Sequence, residues 1–167
     1  RGRAFHERDR PDGDAVGSVL GLARFLELAY GARPHCALHD PVPKLYEWLP
    51  GATAITPPDD VPDDADLFIV ADTHQTERTG RVAACVPNDA PVIDGSYLDS
   101  TAAAVGEMVG ELFLHTNTPF TPEAATACYV ALSTDTGCFR YSSTTSRSHL
   151  VAAKFIEGGA NVGEITE

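Results

Sequence analysis

Apolar and polar positions along the chain fall into helical and strand-like periods. From 15 to 29 the set Val16, Val19, Leu20, Ala23 and Leu26 recurs at helical spacing. Asp14 reads as the N-cap of that helix, and Gly31 with Pro34 supplies its stop. Gly17 in the first turn costs helix stability, which predicts a close approach of backbone or ligand there. The run Leu67-Phe68-Ile69-Val70-Ala71, bounded by Asp66 and Asp72, predicts a strand covered on both faces. Pro91-Val92-Ile93, ending at Asp94, predicts another. Shorter strands are expected over 35–39 and 52–56, with a helical turn over 44–49 between them. A solvated connection rich in proline and acid follows over 57–64. Three more helices are expected. One starts at Ser100 or Thr101, ends at Leu114, and has Ala104, Val105, Met108 and Leu112 inward. The next opens with Thr121 as N-cap and Pro122 at its first position, and buries Ala124, Ala127, Cys128, Val130, Ala131 and Leu132. The last runs over 144–156 with Val151, Ala152 and Phe155 inward, and stops at Gly158-Gly159. Strands alternating with helices imply an α/β fold, a mostly parallel sheet with helices on both faces.

Composition narrows the function more than the fold. At 167 residues the chain suits one domain with a real core, and 43% hydrophobic against 22% charged residues argues for a folded, globular protein. No apolar run is long enough to span a bilayer, so a cytoplasmic protein without membrane contact is expected. A formal net charge of −12 disfavours a broad basic surface for DNA, yet permits handling of a small phosphate ester through bound cations. Cys36, Cys85, Cys128 and Cys138 form no Cys-x-x-Cys pair, so buried free thiols are expected rather than disulfides or zinc.

Carboxylates stand at the ends of these elements. Asp12 and Asp14 flank Gly13 just before the first helix; Asp72 and Asp94 end strands; Asp135 sits beside a glycine turn. A Pro-Asp-Gly turn with a helix cap would explain the first pair without function. A parallel sheet, however, gathers such ends in one crevice. Carboxylates so gathered need a counter-charge, and oxygen-rich sites take Mg²⁺ or Mn²⁺. Two such ions, roughly 3.5–4 Å apart, would activate a bridging water and clamp a phosphoryl group.

The stretches Arg10-Pro11-Asp12-Gly13-Asp14-Ala15-Val16-Gly17-Ser18, Val70-Ala71-Asp72-Thr73 with Arg78 and Gly80, and Val92-Ile93-Asp94 resemble the motifs of the DHH phosphoesterase superfamily. Ser133-Thr134-Asp135-Thr136-Gly137-Cys138-Phe139-Arg140-Tyr141, followed by Gly158-Gly159-Ala160-Asn161, adds the fourth motif in order. The likeness is to the DHH/DHHA1 branch that degrades short oligoribonucleotides and dephosphorylates 3′-phosphoadenosine 5′-phosphate. It implies two Mn²⁺ ions, with Mg²⁺ as a substitute. Asp12 would bind one ion, Asp14 the other, Asp72 both, and Asp135 would complete the second site. Asp94 would orient neighbouring histidines, and Arg78 would steady the loop after Asp72 or the phosphate. The implied partner is a short RNA or a small phosphonucleotide, and a homodimer is compatible with the pattern.

Three departures qualify the resemblance. Arg8 stands where the family pattern places a metal-binding histidine, and His6 lies two residues too early to be given that role. The two signature histidines after Asp94 are missing, with the loop that should follow them. The small C-terminal DHHA1 domain is absent, so residues 1–167 read as an incomplete DHH domain. Two omissions beside one site predict that the chain joins segments with stretches missing at Arg8/Asp9 and Asp94/Gly95. As it stands, this sequence is expected to be nearly inert. The alternatives are a degenerate, non-catalytic DHH domain that binds nucleotides or a protein partner, and a cyclic-dinucleotide phosphodiesterase or inorganic pyrophosphatase of the same superfamily.

Overall fold

A computed structural model describes residues 11–62, 64–72, 76–86, 89, 91–93 and 99–165. Its centre is a helix, α3 (Pro122–Asp135), along which α1 (Gly13–Tyr30), α2 (Val105–His115) and α4 (Ser146–Glu157) all pack. Thr121 caps α3 by accepting from the Ala124 amide, with Pro122 at the first position as the sequence predicts. Every predicted inward residue of α3 is buried, and Ala125, Tyr129 and Ser133 are buried with them. A helix buried on nearly all sides is a core helix, and small residues let its neighbours close in.

Gly17 of α1 shows how closely. A methyl group at that position would lie 2.4 Å from the carbonyl oxygen of Ala127 and 2.9 Å from the Ala131 amide nitrogen. The close approach expected there is therefore helix against helix, α1 crossing α3. The face of α2 is turned one residue from the predicted one: Gly106, Glu107, Val109, Gly110 and Phe113 are buried, while Val105, Met108 and Leu112 are only half-buried. Gly106 abuts Cys128 and Ala131, and Gly110 abuts Phe155. The glycines, which carry no hydrophobic signal, form the contact stripe. Phe113, Phe120 and Phe155 stack and edge onto one another to fill the space beyond it.

The helix α2 also starts later than expected, at Val105, because the Asp99 carboxylate accepts from the amide and hydroxyl of Thr101 and forms a turn first. Helix α4 begins at Ser146 with a capping box between Thr145 and Ser148, and buries Val151, Ala152 and Phe155. A single turn, α5 (Val162–Ile165), follows.

The sheet is small. Strands β1 (Phe68–Ile69) and β2 (Val92–Ile93) pair in parallel, Phe68 opposite Val92 and Ile69 opposite Ile93. A lone parallel bridge joins Ala37 and Thr56. The expected strand over 66–72 contracts to this ladder, and its residues are half-buried or exposed rather than covered on both faces. The expected strand over 52–56 is a 3-10 turn (Ala52–Ala54) ending at the bridge. Of the cysteines, Cys128 alone is buried; Cys138 is exposed and Cys36 and Cys85 are intermediate, all as free thiols. Among the described residues, no helix is long and apolar enough to cross a membrane.

Candidate metal centre

The N-cap of α1 is Asp12, not Asp14: its Oδ1 accepts from the Ala15 amide at 3.0 Å. That registers Asp14 in the first turn, on the side facing the core, where it is 1% exposed. The buried carboxylate does not end in apolar space. Its Oδ2 accepts from the Val105 amide at 2.9 Å and its Oδ1 from the Gly106 amide at 3.0 Å. These are the first two N–H groups of α2, which have no partner within their own helix. The side chain of α1 thus caps α2, and the positive end of the α2 dipole faces it.

The end of α3 closes the third side. Gly13 packs on Thr134 so tightly that a side chain at 13 would collide with its hydroxyl. This seats Asp135, the last residue of α3, beside the Asp12-Gly13-Asp14 turn. Asp72, just past β1, is exposed and held at φ 63°, in the left-handed region that costs a non-glycine residue energy. Its charge reaches Asp14.

Asp14 and Asp135 act on each other, Asp72 acts on Asp14, and Asp12 acts on Asp135. Burial, with the charges of Asp135 and Asp72, pushes the Asp14 carboxyl up to about 8, although the Val105 and Gly106 amides pull the other way. Burial and the Asp12 charge raise Asp135 as well, and a hydrogen bond with Asp14 offsets part of that. Both carboxyls are therefore harder to ionise than an isolated aspartate. The principal influences on both groups are burial, backbone amides and other carboxylates, with no lysine or arginine among them. Carboxylates that must take up protons to coexist are the donor set of a hard divalent cation. Among the described residues, no three His, Cys, Asp or Glu side chains sit close enough together to encircle one ion. The chemistry of the donors, rather than their spacing, is what fits such an ion.

The structure places Asp135 in hydrogen-bond contact with Asp14, within reach of the Asp12 charge, and Asp72 where its charge reaches Asp14. Asp94 and the side chain of Arg78 lie outside the described residues, as do the junctions at Arg8/Asp9 and Asp94/Gly95. Sequence reasoning missed the α2 amides that seat Asp14. The Gly106 and Gly110 spacing, which brings α2 close to its neighbours, was the signal available for them.

No family model matches the chain. Among curated proteins it is 31% identical to the bifunctional oligoribonuclease and PAP phosphatase NrnA of Thermus thermophilus, over 94% of this chain and 50% of that one. The protein of the same name from Bacillus subtilis is 30% identical over 92% of this chain and 52% of that one. The chain spans about half the length of these relatives. Among solved structures, an exopolyphosphatase-related protein from Bacteroides fragilis superposes with a TM-score of 0.80 at 24% identity, covering 93% of this chain and 52% of that one, which establishes the fold.

Proposed function

The chain belongs to the DHH phosphoesterase family, and on that footing we propose that the full-length protein is a metal-dependent phosphoesterase acting on short oligoribonucleotides and 3′-phosphoadenosine 5′-phosphate. The observation that supports the reading is the buried Asp14 carboxyl paired with Asp135 and raised by burial and by the charges of Asp135 and Asp72. Asp12, Asp14, Asp72 and Asp135 would hold two Mn²⁺ or Mg²⁺ ions. Such ions, when bound, supply a water acidic enough to act at neutral pH and positive charge for a phosphoryl group.

The residues themselves divide the work by burial. Asp14 is immobilised by two amides, so its position is set before any ligand arrives. Asp12 is exposed and held by its capping bond, and Asp135 is half-buried between the two. Asp12 and Asp72, the exposed members of the set, are the ones a phosphate ester would meet first. The acidic balance of the chain makes bound cations the means of drawing in an anionic substrate.

The test is hydrolysis by the full-length protein, with Mn²⁺, of a short RNA and of 3′-phosphoadenosine 5′-phosphate. Cyclic di-AMP and pyrophosphate serve as comparison substrates. Asp72→Ala and Asp135→Ala should abolish turnover while the far-UV spectrum stays that of the parent. No turnover of any of the four compounds would defeat the proposal, and nucleotide binding without turnover would point to a non-catalytic nucleotide-binding module.

A further inference from the structure

We propose that Arg147 is a positioning residue for Asp14, acting through the N-terminus of α2. Arg147 lies on α4, and its guanidinium ties together the segment that leads into α2 and the helix itself. Nη1 donates to Asp99 Oδ2 at 2.5 Å and reaches Thr101 Oγ1 at 3.4 Å. Nε donates to Glu111 Oε1 at 2.6 Å, and Nη2 pairs with the other oxygen of the same carboxylate. Nε also lies 3.9 Å from Oε2 of Glu107.

Glu107 makes the arrangement directional. It is 0% exposed, and its Oε2 accepts from the Ala103 amide at 2.8 Å. Its Oε1 receives no hydrogen bond among the described residues. A carboxylate buried with one oxygen unserved depends on a nearby positive charge, and Arg147 is the cation beside it. Asp99 shapes the turn at 99–102, Glu107 holds the Ala103 amide, and the next two amides, Val105 and Gly106, hold Asp14. One guanidinium, whose planar fork serves several carboxylates at once, fixes both ends of this short segment. Partners one step removed from a ligand set its orientation and affinity.

The tie also bears on the chain before it. It joins Asp99, and with it the turn at 99–102, to α4.

The positioning itself is independent of any metal; its effect on metal affinity rests on the phosphoesterase reading. Amide exchange should be followed in the full-length, EDTA-treated protein, with parallel Mn²⁺ titrations by calorimetry. Asp99→Asn removes one arm of the tie and leaves Arg147 on Glu107 and Glu111, so it should fold even if Arg147→Gln does not. In Asp99→Asn, exchange at Val105 and Gly106 should rise about tenfold while Val109 and Phe113 keep parental rates. The Mn²⁺ dissociation constant should rise by about tenfold or more. Unchanged exchange at Val105 and Gly106 would overturn the proposal. So would an increase spread evenly along α2, because Arg147 would then be a general brace. Local loosening in a protein that binds no Mn²⁺ even as wild type would support the positioning and sink the metal reading alone.

Discussion

Replacing Asp14 by Asn tests the electrostatic account of the site most directly. In the metal-free protein the Asp14 carboxyl is raised from an ordinary value to about 8 by burial and by Asp135 and Asp72. The folded state therefore holds a proton that the unfolded chain releases near pH 4. Stability contributed by this group is whole below that value and is lost as the pH climbs towards 8. The slope is at most about 1.4 kcal/mol per pH unit, or roughly 2.7 kcal/mol between pH 5 and pH 7. Because Asp135 is hydrogen-bonded to Asp14 and raised with it, the loss is a property of the pair. Asn keeps one oxygen for an α2 amide and turns an NH₂ towards the other, which costs about 1–2 kcal/mol at any pH. Urea unfolding in EDTA at pH 5, 6, 7 and 8 should then give two curves of different slope. Asp14→Asn should be close to the wild type at pH 5 and clearly more stable than it by pH 7 to 8, because only the wild type loses stability as the pH rises. Curves that run parallel would refute the claim that Asp14 is buried against its own charge.

Three further substitutions probe the frame. Gly17→Ala drives a methyl group into the backbone of α3 and should cost about 1–3 kcal/mol, read as a lowered urea midpoint with an unchanged slope. Thr145→Ala removes the capping box of α4 and should lower stability by about 1 kcal/mol in the same assay. Phe155→Ala empties a fully buried site between Gly110 and Phe120, and a loss of about 3–5 kcal/mol should follow.

The helices were legible in the sequence because their signals are local. Thr121-Pro122 opens α3 and Gly31 closes α1 by chemistry that acts within one turn. The strands were less so: a buried-looking run such as 67–71 carries no information about how far its partner extends, and here the ladder is short. The misplaced α2 has the same cause. Its start is set by Asp99 and its inward face by Gly106 and Gly110 against distant side chains, and none of these registers as hydrophobic periodicity. In the site, the aspartates were visible as residues at element ends, and the structure pairs Asp14 with Asp135 across two helices. What the sequence could not reveal was which aspartate caps and which is buried, because that turns on a shift of two residues in where α1 begins.

The bonds from Asp14 to Val105 and Gly106 span 91 and 92 positions of chain, yet they are made between two helices that both lie on α3. The intervening sequence has no part in setting their length. Lengthening an exposed connection within it, such as the one at 32–33, should add only a slowly growing closure entropy and leave the seat of the carboxylate where it is. Related chains are thus free to differ in the size of that excursion, and in whatever they build there, while keeping one acid in one place.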